Sequence, residues 1–172
     1  MGFVFSYFWT KKEFNILLIG LLSAGKATIF QKLNNLPLIP GISFSTENFN
    51  YKSLKIHRCV INEDKNCRKI LKLYYQFTDG IIFVLDSYDK INIEEALSEL
   101  NQILDEEELR NCPILVLANK QDLIGALSPD EITEKMQMNK YIGRKFLVKG
   151  TSAMTGEGLK EGLDWMDSVL NN

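Results

Sequence analysis

Histidine is nearly missing from this chain: His57 stands alone. A lone histidine on an expected strand is a surface or packing residue, and it is assigned no role here. Cysteine is scarce as well. Cys59, Cys67 and Cys112 are odd in number and contain no C-x-x-C pair. That speaks against a disulfide framework or a zinc site and fits a reducing cytosol. No apolar run approaches the roughly 18 residues that span a bilayer. The amino terminus lacks the basic start and small-residue cleavage site of a secretory signal. No excess of positive charge exists either. The formal net charge is −2, so a nucleic-acid partner held by phosphate electrostatics is not expected.

What is present is an ordinary globular composition. With 45% apolar and 24% charged residues in 172, one domain with a full core is expected, and disorder is not. No internal repeat or low-complexity stretch appears. Residues Phe14 to Gly20 (FNILLIG), Ile81 to Leu85 (IIFVL) and Ile114 to Ala118 (ILVLA) are apolar runs, the pattern of strands buried on both faces. A helix is expected over Lys26–Asn34 and a loop around Pro37, Pro40 and Gly41. A hairpin is expected over Phe44–Tyr51 and Ser53–Ile61. Asn62 to Lys69 reads as polar and irregular.

Ile93, Ala96, Leu97, Leu100, Ile103 and Leu104 share one helical stripe, which Asn92 can cap with Glu95 three residues on. The acidic run Asp105 to Glu108 reads as its solvated end. Ser128-Pro129-Asp130-Glu131 is a complete helix start. Lys145–Val148 is a last short strand, and Leu159 to Leu170 a last amphipathic helix. Strands alternating with helices predict an α/β fold with a mostly parallel six-stranded sheet and helices on both faces.

Two motifs carry chemistry. Gly20-Leu21-Leu22-Ser23-Ala24-Gly25-Lys26-Ala27 nearly matches G-x-x-x-x-G-K-[ST], between a buried strand and a helix. In such a loop, glycines let backbone N–H groups wrap a phosphate, the helix adds its positive end, and Lys26 reaches the terminal phosphates. The last position departs. A Ser or Thr there offers a hydroxyl to Mg²⁺, and Ala27 has none. Thr28 is next, but one helical residue turns the side chain by about 100°.

The second motif, Asn119-Lys120-Gln121-Asp122, closes the third apolar run. The Asp122 carboxylate can accept from both guanine N1–H and the exocyclic amine, an arrangement adenine cannot satisfy. Asn119 can tie this loop to the phosphate loop, and the Lys120 stem can cover the base. Thr151-Ser152-Ala153 follows the last strand, where a backbone N–H of Ser152 or Ala153 can meet guanine O6.

On these segments, with YYQFTDGIIFVLDS and TGEGLKEGLDWM, the sequence resembles the ADP-ribosylation factor (Arf) and Arf-like small GTPases, from Gly2 to about Leu170. The resemblance implies a Ras-like P-loop fold and GTP/GDP binding by Gly20, Ser23, Ala24, Gly25, Lys26, Ala27, Thr28, Asn119, Lys120, Asp122, Ser152 and Ala153. It further implies Arf-type regulator and effector proteins, and a peripheral place on endomembranes (the Golgi or another organelle) in vesicle traffic. A monomer is expected.

Met1-Gly2-Phe3-Val4-Phe5-Ser6 matches the N-myristoylation pattern at Gly2. Phe3, Val4, Phe5, Tyr7, Phe8 and Trp9, followed by Lys11 and Lys12, suit a lipid interface. One acyl chain anchors only marginally, so a second element is physically needed. Residues 1–13 are therefore expected to form a membrane-interacting segment ahead of an Arf-like G domain over 14–172.

The departures cluster. The family's switch threonine follows a proline, but Pro40 is followed by Gly41. Aligned backward from Tyr74 and Gly80, the family's W-D-x-G-G-Q becomes Cys59-Val60-Ile61-Asn62-Glu63-Asp64. The metal-linked Asp is Val60, the γ-phosphate Gly is Glu63, and the catalytic Gln is Asp64. Ala27, Gly41 and Val60 thus lack the oxygen ligands of the family, which puts Mg²⁺ in question. A carboxylate near 4 Å from a phosphate costs on the order of 4 kcal/mol at an effective dielectric of 20, before screening, so Glu63 disfavours GTP against GDP. Three outcomes stay open: a nucleotide-binding protein with impaired hydrolysis, a nucleotide-independent scaffold, and a GTPase working with unconventional residues.

Overall fold

A computed structural model describes residues 12–36, 48–58 and 65–172, and of residues 65–68 and 70 the backbone alone. The first apolar run forms β1 (Phe14–Ile19), buried throughout except for half-buried Asn15. It leads through the glycine-rich turn into α1 (Lys26–Leu33). A hairpin follows, β2 (Asn48–Tyr51) and β3 (Leu54–Arg58). The expected outer ends of that hairpin, 44–47 and 59–61, lie outside the described residues.

Lys65–Tyr75 is a helix, α2, where the sequence reading had irregular chain up to Lys69 and no element beyond it. The start of α2 is polar, and of its described side chains only Leu71 and Tyr75, one turn apart, are buried. That stripe is too short to give a helical period. Next come β4 (Gly80–Asp86) and α3 (Ile93–Leu104). Asn92 occupies the start of α3 but does not cap it. Its Nδ2 donates to Asp89 Oδ2 at 2.7 Å, and no side-chain cap bond forms. The acidic run beyond α3 holds a short 3-10 turn, Glu107–Leu109, that buries Leu109.

The chain continues through β5 (Ile114–Asn119), α4 (Pro129–Met136), β6 (Phe146–Gly150) and α5 (Leu159–Asn171). α4 opens with the expected reciprocal cap between Ser128 and Glu131.

The sheet order is β2-β3-β1-β4-β5-β6, with β2 antiparallel to β3 and every other pair parallel. This is the Ras-like P-loop fold. Each central strand sends alternate residues into two cores. Leu17, Ile19, Ile81, Phe83, Leu85 and Val116 pack with residues of α2, α3 and α4 on one face. Ile16, Leu18, Ile56, Ile82, Val84 and Leu117 pack with α1 and α5 on the other. Arg144 fastens one end of the sheet by donating to the carbonyls of Leu104, Leu109 and Cys112. Among the described residues no helix is long and apolar enough to cross a membrane.

The order in which strands are added reverses about β1: β3 lies on one side of it and β4 on the other. In open α/β sheets, ligands bind at such a switch point, beyond the carboxyl ends of the strands. The glycine-rich turn and Thr151 follow strands at that edge, and Asn119 ends one.

Candidate functional site

The turn after β1 is shaped by two tight approaches. At Gly20 (φ 152°) a Cβ would stand 2.3 Å from the Val84 carbonyl oxygen, so only glycine lets the turn leave β1 flush against β4. At Gly25 (φ 101°) a Cβ would stand 2.2 Å from Asn119 Nδ2. Ser23 adopts a left-handed conformation as well, with φ 63°. α1 starts directly after Gly25 with no side chain capping it. Its first amides are therefore not taken by a side chain and lie at the helix's positive end.

Lys26 is 4% exposed, and its ammonium donates to the carbonyls of Gly20 at 2.7 Å and Leu21 at 2.5 Å. An ammonium has three donors, so one remains for a ligand. Burial, and then the charge of Arg58, lower its pKa to about 8. Ala27 and Thr28 complete the first turn, both half-buried.

Asn119 binds three loops together. Its Nδ2 donates to the Ala24 carbonyl at 2.9 Å, inside the phosphate-type turn. Its Oδ1 accepts the Ala153 N–H at 2.9 Å, in the loop after β6. Gln121 N–H reaches the Thr151 carbonyl at 3.0 Å, closing the same junction from the backbone. Lys120 is held at φ 71° and pairs with Asp86 Oδ2 at 2.5 Å, which lays its stem across the end of β4. Asp122 is exposed, and its carboxylate takes no partner among the described residues.

One expectation changes. Both amides assigned to guanine O6 already have acceptors within the protein: Ser152 N–H donates to the Glu157 carbonyl at 3.1 Å, and Ala153 N–H to Asn119. To meet a keto oxygen, the Ala153 N–H must be shared with Asn119 or released by it. Ser152 contributes otherwise, its Oγ accepting from Thr155 N–H and its carbonyl from Gly156 N–H.

The sequence reading missed Asp86 and Arg58. Asp86 closes an apolar run and carries no motif of its own. Arg58 is 5% exposed, and its guanidinium carbon lies 6.0 Å from the centre of the Phe30 ring. The signal was strand parity. Leu54, Ile56 and Arg58 share one face, so a charged residue falls where the alternation requires an apolar one. His57, on the opposite face, meets Asn15 Oδ1 at 3.2 Å in a packing contact.

Gly2, Gly41, Val60, Glu63 and Asp64 lie outside the described residues. Of the Mg²⁺ positions considered above, Ala27 alone is described, and it presents a methyl group. Among the described residues no group of three or more His, Cys, Asp or Glu side chains could hold a metal. At Ala27 the described part of the site lacks the hydroxyl that such loops ordinarily offer to a divalent cation.

A glycine-wrapped turn with a buried lysine, tied by one asparagine to a loop with a free aspartate, is the framework of a guanine-nucleotide pocket. Comparison with protein families matches the ADP-ribosylation factor family over residues 2–170. That match spans nearly the whole chain, and the chain belongs to the ADP-ribosylation factor family of small GTP-binding proteins.

Proposed function

We propose that the chain binds a guanine nucleotide across the phosphate-type turn and the Asn119–Asp122 loop, with GTP hydrolysis impaired, while sitting peripherally on an endomembrane and acting in vesicle traffic. The observation that carries the first part is the Asn119 junction. Gly25 has no room for a side chain because Asn119 occupies it, and the same asparagine orders the Ala153 loop. In this reading Gly20, Ser23, Ala24, Gly25, Lys26, Ala27 and Thr28 surround the phosphates. Lys120 covers the base and Asp122 selects guanine. Ser152 and Ala153 line the pocket through the loop they form. The impaired hydrolysis rests on the sequence: Asp64 stands at the position of the catalytic glutamine and Glu63 at that of a glycine beside the γ-phosphate.

The test is to denature the purified protein, with and without prior EDTA treatment, and identify what is released. GDP or GTP is expected in both cases, with no steady-state phosphate release. Protein that emerges bare, and stays unresponsive to guanosine phosphates, would favour the nucleotide-independent scaffold instead. The membrane part rests on Gly2, the aromatic stretch Phe3–Trp9 and Lys11 and Lys12. Myristoylated protein is expected to float with anionic vesicles and the Gly2→Ala variant to stay behind. Equal flotation of both would refute the acyl anchor.

A further inference from the structure

We infer that Arg58 takes the place of a divalent cation, its guanidinium neutralising the β- and terminal phosphates of the bound guanine nucleotide together with Lys26. The inference rests on the nucleotide-binding reading above and adds a phosphate ligand to it.

Three observations converge. The first is position. Arg58 ends β3 opposite Leu18 of β1, two residues before Gly20 opens the phosphate-type turn. Its side chain enters the α1 face of the sheet, with the guanidinium over Phe30. Phe30 is one helical turn after Lys26, so the two share a side of α1. The charge of Arg58 is the second cause, after burial, of the lowered Lys26 pKa.

The second is want of a partner. Arg58 is 5% exposed, its buried Nε has no hydrogen-bond acceptor, and no ion pair among the described residues includes Arg58 or Lys26. A buried arginine is strongly unfavourable unless an anion or several acceptors meet it. The Phe30 ring meets the face of the cation, and among the described residues no hydrogen bond meets its N–H edge. Two enclosed positive charges on one side of a phosphate-shaped turn call for an anion of more than one negative charge.

The third is substitution in concert. Ala27, Gly41 and Val60 lack the oxygens that hold Mg²⁺ in the family, and Arg58 precedes Val60 by two residues. Arginine stays charged at all physiological pH and meets phosphate oxygens bidentately, so one side chain can supply both charge and geometry.

The experiment measures affinities for GDP and GMP in MgCl₂ and in EDTA, for the wild-type full-length chain, Arg58→Gln and Arg58→Lys. Melting temperatures of the nucleotide-free proteins are taken in parallel. Wild type is expected to bind GDP equally, within about threefold, with and without Mg²⁺. Arg58→Gln is expected to weaken GDP by about 10- to 100-fold while changing GMP, which has no β-phosphate, by less than about threefold. Arg58→Lys keeps the charge but not the bidentate fork, and is expected to bind GDP with an affinity between those of wild type and Arg58→Gln. It also decides the matter if the glutamine variant does not fold.

A wild type whose GDP affinity collapses in EDTA would overturn the inference. So would an Arg58→Gln that binds GDP unimpaired, or that loses GDP and GMP alike along with melting temperature, since that is a packing role. A folded Arg58→Lys with the full loss would also overturn it. If wild type binds neither nucleotide, the nucleotide-binding reading itself fails, a result distinct from all of these.

Discussion

Lys26 is a cation enclosed by its own loop, and its titration is the most direct probe of that enclosure. Its folded-state pKa of about 8 lies below the ordinary 10.5, with burial the main cause and Arg58 the second. Below about pH 8 the lysine is protonated in both folded and unfolded chains, and the folded state bears the whole cost of the buried charge. Between pH 8 and 10.5 the unfolded chain binds more protons, so stability rises with pH. The nucleotide-free protein should gain up to about 3 kcal/mol across that window. Lys26→Met should lose this rise, which denaturant unfolding at several pH values would measure. No difference in slope between the two proteins would refute the enclosure.

Asn119 gives a second test at the same scale. Asn119→Ala leaves the Ala24 carbonyl and the Ala153 N–H without their partners. At about 1–3 kcal/mol for each of the two buried orphans, a loss of about 2–6 kcal/mol is expected even without nucleotide. A variant as stable as wild type would mean that the three loops are not joined through this side chain. These residues were legible to different degrees. Lys26, Asn119 and Asp122 sit in motifs whose spacing is fixed by the ligand they suit. Arg58 and Asp86 act through strand geometry, and one residue's parity in a five-residue strand is a faint signal without the fold.

At the scale of elements, β1, β4 and β5 were readable because strands buried on both faces are runs of apolar residues, and α3 because six buried residues follow one stripe. α2 was not readable, since Leu71 and Tyr75 alone mark its buried side among the described residues. The two expected caps make a contrast. Ser128 Oγ accepts the Glu131 N–H at 3.3 Å, and Glu131 Oε2 accepts the Ser128 N–H at 2.8 Å, so the reciprocal cap is complete. Asn92 spends its side chain on Asp89 instead. The physical difference is backbone geometry. Ser128 is extended (φ −69°, ψ 158°), as a capping residue must be, whereas Asn92 is not (φ −97°, ψ 6°). Ser128→Ala should therefore cost about 1 kcal/mol, and Asn92→Ala clearly less. Midpoints of urea unfolding for the two variants would check the order, and the reverse order would contradict the capping assignment.

At the scale of the whole molecule, the parts that would touch a nucleotide hang from the ends of β1, β5 and β6, and those strands belong to both cores. A ligand that bridges the ends resists separation of the strands beneath them, so binding must appear as global stability. At a free GDP concentration of 100 times Kd the gain is about 2.7 kcal/mol. For a domain of this size each kcal/mol moves the melting temperature by about 2–4 °C, giving a rise of about 5–11 °C. ADP should give little at the same concentration, because its base cannot satisfy the Asp122 carboxylate. Asp122→Ala should remove most of the GDP effect while leaving the melt of the free protein unchanged, since that carboxylate is exposed and holds nothing else among the described residues. A flat melting curve with GDP in the wild type would separate the fold from the ligand. The Asn119 junction would then be architecture alone, and the scaffold reading would take over.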